Sequence, residues 1–229
     1  MALYAWFLSA ALFYQGSGEA TIPQKSPAEG SAPIVQPGAP GQNSKIITPA
    51  AAATPRRSPA EADVSFMQGM IMHHSQAVEM TALMPTHTRN KDLLALGKRI
   101  SISQSDEIQY MKQWLEERGK PTEMTMDGMS AADMKAMGHD MSSMMPLMPG
   151  MLTPQQMAAL AKSSGPTFDH LFLTGMIQHH GGALTMVKDL FDTAGAGQDA
   201  VLFDFATDID NTQRAEIRIM QGMLAKEKH

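Results

Sequence analysis

The 229-residue sequence contains no cysteine. This absence excludes disulfide bonds, thiolate metal sites, cysteine nucleophiles and lipid attachment through a lipobox cysteine. Basic residues are outnumbered as well, with 18 Lys and Arg against 23 Asp and Glu, which gives a formal net charge of −5. No basic surface is expected that could neutralise phosphates, so nucleic acid is not an expected partner.

The sustained alternation of apolar and polar residues that β-strands require is also missing. Apolar residues recur instead at helical spacing. This spacing predicts four helices, over Asp63–Met84, Asp92–Glu117, Asp169–Asp192 and Asp199–Lys226. Two αα-hairpins with short connections are typical of a four-helix bundle, so the expected fold class is all-α. The run Thr153-Pro154-Gln155-Gln156 predicts one further short helix that begins with a capping box.

The N-terminal part of the chain differs in composition from the rest. An uncharged apolar run over residues 2–14, followed by small residues up to Ala20, is typical of a signal peptide over residues 1–20 and is too short to span a bilayer. A retained N-terminal anchor is the alternative. Residues 21–60 are rich in Pro, Ala, Gly and Ser, so we expect a disordered linker there. The remainder divides into a hairpin repeat over 61–118, a connector over 119–165 and a second hairpin repeat over 166–229.

Methionine is abundant, with 22 residues, and ten of them lie between Met124 and Met151 in the connector. This stretch also contains Gly, Pro and Ser, which break helices, and one histidine. Thioether sulfur is a soft ligand, so a flexible arm of this composition can wrap a soft cation. An amphipathic loop that merely covers the bundle is the alternative. The candidate ligands in the arm are Met137, His139, Met141 and Met144.

A repeat relates the two hairpins. The pattern Asp-x-x-Phe-x-x-Gly-Met-Ile-x-His-His-x-x-Ala-x-x-Met begins at Asp63 and again at Asp169. The second helices of the hairpins also match, and their shared residues include Gln104 and Gln213, Glu107 and Glu216, and Met111 and Met220. We infer an internal duplication, which predicts a bundle with pseudo-twofold symmetry.

The repeated residues share one face of their helix. At about 100° per residue, the Asp, Phe, Met, His and Ala positions of the pattern fall on a single arc. Burying an unpartnered polar group costs roughly 1–3 kcal/mol, so four inward histidines need partners such as metal ions or acidic residues. Hydrogen-bonded core histidines are the alternative. His74 and His180 lie nearest the centre of the arc and are the first choice as ligands, whereas His73 and His179 either ligate or hydrogen-bond.

Methionines accompany the histidines on this face. Met70 and Met176 lie one helical turn before the second histidine of each pair, so thioether and imidazole donors are neighbours. This donor set suits Cu(I) or Ag(I), with Cu(II) an option through imidazole, and it disfavours Mg²⁺ and Ca²⁺. Core packing is the alternative for the methionines in general. Met80 and Met186 are better candidate ligands than the others because they repeat.

Acidic residues repeat together with the histidines. Glu107 and Glu216 are expected to orient the imidazoles as hydrogen-bonding partners. Asp63 and Asp169 could act in the same way, but N-terminal capping of their helices is the favoured interpretation for both.

The segment "FDHLFLTGMIQHHGGALTMVKDL", preceded by "MLTPQQMAALAKSSG", resembles the family catalogued as domain of unknown function 305. The resemblance extends over about Asp63 to Leu224. It implies a ferritin-like four-helix bundle that lies outside the cytoplasm and binds copper through methionine and histidine. Carried over position by position, it implies as metal ligands Met70, His73, His74, Met80, Met176, His179, His180 and Met186.

The expected function is non-enzymatic: an exported protein of the periplasm or cell envelope that sequesters Cu(I) or passes it on. Its expected partners are copper ions and copper-transfer proteins of the envelope, and no stable membrane insertion is expected after signal cleavage. A metal-dependent redox enzyme, such as a copper oxidase, is one alternative, although the Glu-x-x-His motif of di-iron bundles is absent. A haem-binding electron-transfer bundle is another, without covalent attachment because Cys-x-x-Cys-His is absent. A purely structural role is the third.

Overall fold

The computed structural model describes residues 34–38, 41–48, 58–124 and 147–227. They belong to two units, Met1–Arg56 and Arg57–His229. Within these ranges no helix is long and apolar enough to cross a membrane.

The first unit contains a short antiparallel ladder that the sequence pattern did not predict. Strand β1 (Ile34–Gln36) pairs with β2 (Lys45–Ile47), and the register places Val35 opposite Ile46. Each strand has only three residues, which is too short to show a recognisable alternation. Val35 and Ile46 remain 52% and 76% exposed, so the ladder's own side chains do not form a packed core.

The second unit is the expected all-α bundle of two helical hairpins. Helix α1 packs against α2, α4 packs against α5, and α1 contacts α4 across the two hairpins. The short helix α3 lies against α1 and α4. The bounds are α1 (Glu61–His87), α2 (Lys91–Glu116), α3 (Pro154–Lys162), α4 (Gly165–Asp192) and α5 (Ala200–Lys226).

Two of the predicted helix ends are wrong. Helix α1 does not stop before Pro85 but continues to His87, because an exposed proline in the last turn disturbs only one backbone hydrogen bond there. The Thr88 amide donates to the Met84 carbonyl and closes that turn. Helix α4 begins at Gly165, four residues earlier than expected, since Pro166 is well suited to a first helical turn.

Side-chain caps fix the starts of the other helices. The Asn90 side chain accepts hydrogen bonds from two amides at the start of α2, and the Asp199 side chain does the same at the start of α5. The predicted capping box of α3 is confirmed. The Thr153 hydroxyl accepts from the Gln156 amide at 3.2 Å, and the Gln156 side chain accepts from the Thr153 amide at 2.9 Å.

The core has two apolar layers with a polar layer between them. Along α1, residues 66–71 belong to one apolar cluster and residues 77–84 to the other. The other three long helices divide in the same way, and α2 and α4 run through the clusters in the opposite order to α1 and α5. The polar layer contains the repeated residues between these stretches, which are His73, His74, Gln104, Glu107, His179, His180, Gln213 and Glu216.

Contacts near one end of the bundle tie α2 to α5. Arg118 lies with its guanidinium carbon 4.1 Å from the centre of the Trp114 ring and donates to Asp199 Oδ2 at 2.7 Å. The Tyr110 and Phe205 rings stack with their centroids 4.6 Å apart. The two hairpins are therefore joined by their outer helices as well as by α1 and α4.

Candidate metal centre

The four repeated histidines meet in the polar layer. His73 and His74 come from the middle of α1, and His179 and His180 from the middle of α4. All four side chains are completely buried. The helices bring them together because the repeat places them at equivalent heights on two antiparallel helices. The sequence-based prediction that the histidine arc faces the interior is confirmed.

The second histidine of each pair is held by a glutamate of the neighbouring helix. His74 Nε2 donates to Glu107 Oε2 at 2.6 Å, and His180 Nε2 donates to Glu216 Oε2 at 2.6 Å. Ser103 donates to the other oxygen of Glu107 at 2.9 Å. The expected orienting role of the two glutamates is confirmed by these contacts, which fix the rotation of each imidazole.

The first histidines of the two pairs lie against each other between α1 and α4. The ring centroids of His73 and His179 are 3.8 Å apart, and the rings are inclined by 36°. His179 Nε2 donates to the backbone carbonyl of His73 at 2.8 Å, and His73 Nε2 donates to the carbonyl of Pro149 at 3.0 Å. Within each pair, the ring centroids are 6.2 Å apart.

In all four imidazoles, the nitrogen without a hydrogen-bonding partner among the described residues is Nδ1. Each Nε2 faces a carbonyl or carboxylate oxygen, which can only accept, so each Nε2 carries a hydrogen. In a neutral ring the Nδ1 atom is then the one with the free lone pair. The four Nδ1 atoms are buried and have no hydrogen-bonding partner in the described part of the chain. Four buried Lewis bases therefore lie in one layer.

Burial keeps the central pair neutral. It lowers the pKa of His73 from 6.5 to about 3, and the electrostatic interaction with His74 acts in the same direction. Burial likewise lowers the pKa of His179 well below 6.5, assisted by His73. Both rings therefore hold their Nδ1 lone pairs free at neutral pH, which is the form that binds metal ions.

Two glutamines of the same layer also lack partners. Gln104 and Gln213 lie one turn before Glu107 and Glu216 on α2 and α5 and are each 2% exposed. Neither side-chain amide has a hydrogen-bonding partner for its nitrogen or its oxygen among the described residues. Unpartnered buried polar groups cost free energy, and their repetition in both halves shows that the layer is polar by construction rather than by local accident.

The predicted methionine ligands lie on either side of the histidine layer. Met70 is buried in one apolar layer, with Met186 half-buried at its edge. Met80 and Met176 are buried together in the other layer. Each apolar layer thus receives one repeated methionine from α1 and one from α4. Their role as metal ligands stays a prediction, as does that of the histidines.

The end of the connector crosses the seam between α1 and α4 directly over the histidines. The Gln76 side chain donates to the Leu152 carbonyl at 2.9 Å and accepts from the Leu152 amide at 2.7 Å. Gly150, with a φ of 76°, packs on Gly182 of α4 so closely that a side chain at either position would meet backbone atoms. We define residues 147–152 as the strap. It supplies the Pro149 carbonyl that holds His73.

Sequence reasoning missed the strap. Gln76 and Gly182 occupy equivalent positions in the repeat but differ in residue type, so the comparison of the halves passed over them. The available signal was the Gly181-Gly182 pair inside a helix, which is costly unless another backbone must approach closely.

The repeated aspartates behave differently in the two halves. Asp63 confirms the capping interpretation, because its Oδ2 accepts from the Ala60 amide at 3.3 Å while its Oδ1 accepts from the Gly197 amide at 2.7 Å. Asp169 does not cap α4, so that prediction is wrong. The helix begins four residues before it, and its buried Oδ1 has no partner in the described ranges.

Two findings bear on which side chains can hold a metal ion in this layer. The arm ligands Met137, His139, Met141 and Met144 lie outside the described residues. Within residues 34–38, 41–48, 58–124 and 147–227, no three His, Asp or Glu side chains are grouped so as to hold a metal ion by themselves. A metal ion in this layer would therefore also need sulfur donors or a small rearrangement of the rings.

Comparison with known proteins relates the whole bundle to one family. The family model described as Domain of unknown function (DUF305) matches residues 63–224. A DUF305 protein from Streptomyces coelicolor is 28% identical, covers 72% of this chain and 93% of its own, and superposes with a TM-score of 0.59. A DUF305 fragment from Deinococcus radiodurans is 26% identical, covers 74% of this chain and 99% of its own, and has a TM-score of 0.60.

A third solved structure with this fold is the silver-bound form of CopM. It is 25% identical, covers 72% of this chain and 96% of its own, and has a TM-score of 0.52. No curated protein matches the chain. The family match covers the two hairpins, the connector and both histidine pairs. The chain therefore belongs to the DUF305 family.

Proposed function

We propose that this protein binds Cu(I) as cargo in the histidine layer and releases it again, rather than using it in catalysis. The observation that carries the proposal is the set of four buried Nδ1 atoms on two duplicated helices that have no partner among the described residues. Two of the four rings are fixed by glutamates, an arrangement that orients an imidazole and raises the basicity of its free nitrogen.

The donors favour a soft cation. Imidazole nitrogen suits copper, and thioether sulfur selects Cu(I) among the ions of the first transition row. Met70, Met80 and Met176 are fully buried on the same helix faces as the histidines. Among the described residues, no three His, Asp or Glu side chains are grouped so as to hold a metal ion by themselves, which argues against a zinc or di-iron cage. CopM has been solved with Cu(I), with Cu(II) and with silver bound, which supports the same choice.

The proposed location is the periplasm or cell envelope, after removal of residues 1–20. The apolar run over residues 2–14 followed by small residues supports export. A protein without cysteine is also suited to copper in an oxidising compartment, because thioether and imidazole donors cannot be lost to disulfide formation. N-terminal sequencing of the protein recovered from the periplasmic fraction tests this location. A mature chain that begins at Met1 in the cytoplasm would contradict it.

The test of copper binding is an anaerobic Cu(I) titration in competition with a chromogenic chelator. We expect the combined His74→Ala and His180→Ala variant to lose most high-affinity binding. His170→Ala is the matched control, because His170 lies on the same helix α4 but is exposed and pairs with Glu227. Far-UV circular dichroism establishes that the variants are folded. Unchanged affinity in the folded double variant would refute the assignment.

A second pair of variants separates ligation from packing. Met70→Leu with Met176→Leu preserves the volume of the apolar layers but removes two sulfur atoms. Weaker Cu(I) binding with unchanged thermal stability would support the sulfur ligands. Weaker stability with unchanged binding would leave these residues to the core. Oxygen uptake by the Cu(I)-loaded protein tests the non-enzymatic role, since a copper oxidase would consume oxygen catalytically.

A further inference from the structure

The two described ends of the methionine-rich arm meet on the surface of α1. The Met124 Cε atom lies 3.3 Å from the point where a Cβ on Gly69 would stand, and the Met148 Cε and Sδ atoms lie 3.2 Å and 3.3 Å from it. The ends of the two methionine side chains are therefore neighbours above one glycine, although the whole arm separates them in the chain. The absence of a side chain at Gly69 leaves the space that they share.

The equivalent position in the other half is covered by one leucine and one methionine instead of two methionines. There, Leu152 methyl carbons lie 3.0 Å and 3.6 Å from the corresponding point on Gly175, together with the methyl group of Met80 at 3.3 Å. Leu152 is 3% exposed, whereas Met124 and Met148 are only half-buried. Packing over the glycine can thus be achieved by a leucine. The first half instead has two thioethers and keeps both within reach of solvent.

This methionine pair is linked to the histidine layer by adjacent residues. Met148 precedes Pro149, whose carbonyl accepts the hydrogen bond of His73 Nε2 at 3.0 Å. Gly69 lies one turn before His73 on α1. A cation held by the pair would stand at the edge of the strap, one helical turn from the buried imidazoles.

We propose that Met124 and Met148 form a second, thioether-only site for a soft monovalent cation, Cu(I) or Ag(I), from which the cation is exchanged with the histidine layer. The proposal rests on the proposed copper-binding function and deepens it. Two thioethers without an imidazole or a carboxylate bind more weakly and more reversibly than the mixed donors of the interior. Weak, accessible binding is suited to a site of exchange rather than of storage.

The test uses the full chain with ¹³C-labelled methionine methyl groups and ¹⁵N-labelled histidine rings, and Ag(I) as the probe. The Met124→Leu and Met148→Leu variants assign the two methyl signals. We expect both signals of the unaltered protein to shift on addition of Ag(I), and we expect the double variant to bind one Ag(I) fewer per chain in native mass spectrometry. Met157→Leu with Met223→Leu is the matched control, because both residues are half-buried and lie away from Gly69.

The outcomes separate this site from the interior site. If the histidine signals respond to Ag(I) while the Met124 and Met148 methyl signals stay unmoved, the exchange site is refuted and copper binding in the interior stands. If the control variant loses as much Ag(I) as the Met124→Leu and Met148→Leu double variant, the loss is not specific to the pair and the proposal is overturned. If neither methionine nor histidine signals respond, both proposals fall.

Discussion

Replacing Gly182 by alanine tests the contact between the strap and α4. A Cβ at this position would stand 1.8 Å from the Pro149 carbonyl oxygen and 2.6 Å from the Gly150 Cα. Both are backbone atoms, so no side-chain rotation can relieve the overlap. An ordinary contact begins at 3.4 Å, so the carbonyl must move by about 1.6 Å, the difference between the two distances. That carbonyl is the acceptor for His73 Nε2 at 3.0 Å.

The expected loss of stability follows from these displacements. Breaking the hydrogen bond leaves a buried imidazole N–H unpartnered, which costs about 1–3 kcal/mol. The forced shift of a packed segment costs a further 1–3 kcal/mol or so. Alanine returns about 1 kcal/mol because it is the better helix former. We therefore expect Gly182→Ala to lower the free energy of unfolding by about 1–5 kcal/mol.

Gly181→Ala is the matched control, one residue earlier on the same helix. A Cβ there would meet no described residue outside its own turn of helix within 4 Å, so only the gain in helix propensity remains, and this variant becomes up to about 1 kcal/mol more stable. Thermal unfolding followed by circular dichroism should separate the two variants by about 10 °C. Equal melting temperatures would refute the close approach of the strap to α4. They would also show that the hydrogen bond to the Pro149 carbonyl does not explain where His73 lies.

Three further predictions concern the polar layer and the end of the bundle. The pKa of His73 is about 3 in the folded chain and 6.5 in the unfolded chain. Between these two pH values the unfolded chain therefore binds one more proton than the folded chain. The stabilisation is complete above pH 6.5 and is lost as the pH falls towards 3. His73 alone contributes a loss of about 2 kcal/mol at about pH 5, and denaturant midpoints that do not change between about pH 7 and 5 would contradict this. Glu107→Gln with Glu216→Gln keeps the shape of each side chain but removes the charge that polarises each imidazole. The Cu(I) affinity measured by chelator competition should fall about 10–100-fold. An unchanged affinity would argue against the role of the carboxylates. Arg118→Ala removes a guanidinium that is almost fully buried against Asp199 and should cost about 2 kcal/mol in urea unfolding, whereas a cost near zero would show that the pair is unimportant.

The sequence was sufficient for the fold because the repeat is strongly periodic. Four long helices, the hairpin pairing and the inward histidine arc all follow from the spacing of apolar residues and its duplication. The bounds of α1 and α4 were wrong at Pro85 and Gly165, since the sequence does not show whether a proline ends a helix or is accommodated in its terminal turn. The strands β1 and β2 were missed because three residues hold too little pattern.

The site was predictable in composition but not in arrangement. The four histidines and the two glutamates Glu107 and Glu216 were identified correctly as residues that converge. The sequence placed His74 and His180 nearest the centre of the arc, yet all four rings are equally buried, and His73 and His179 form the central contact. A helical wheel cannot resolve this order, because it depends on the angle at which α1 and α4 cross and on the acceptors that surround each ring. The Pro149 carbonyl is such an acceptor, and it lies 76 residues away in the chain.

The strap explains why a duplicated protein departs from its own symmetry. One connector joins the two hairpins, so it can cross the pseudo-twofold axis only once. Equivalent positions of α1 and α4 therefore contact different residues of the connector. Gln76 binds the backbone of Leu152, whereas Gly182, at the equivalent position of α4, makes room for Pro149 and Gly150. The same crossing gives His73 a carbonyl from the strap, while His179 takes the carbonyl of His73. In both histidine pairs the second histidine bonds a glutamate in the same way, whereas the first histidines, His73 and His179, bond different carbonyl groups. We therefore expect metal binding to begin asymmetrically, at one pair before the other.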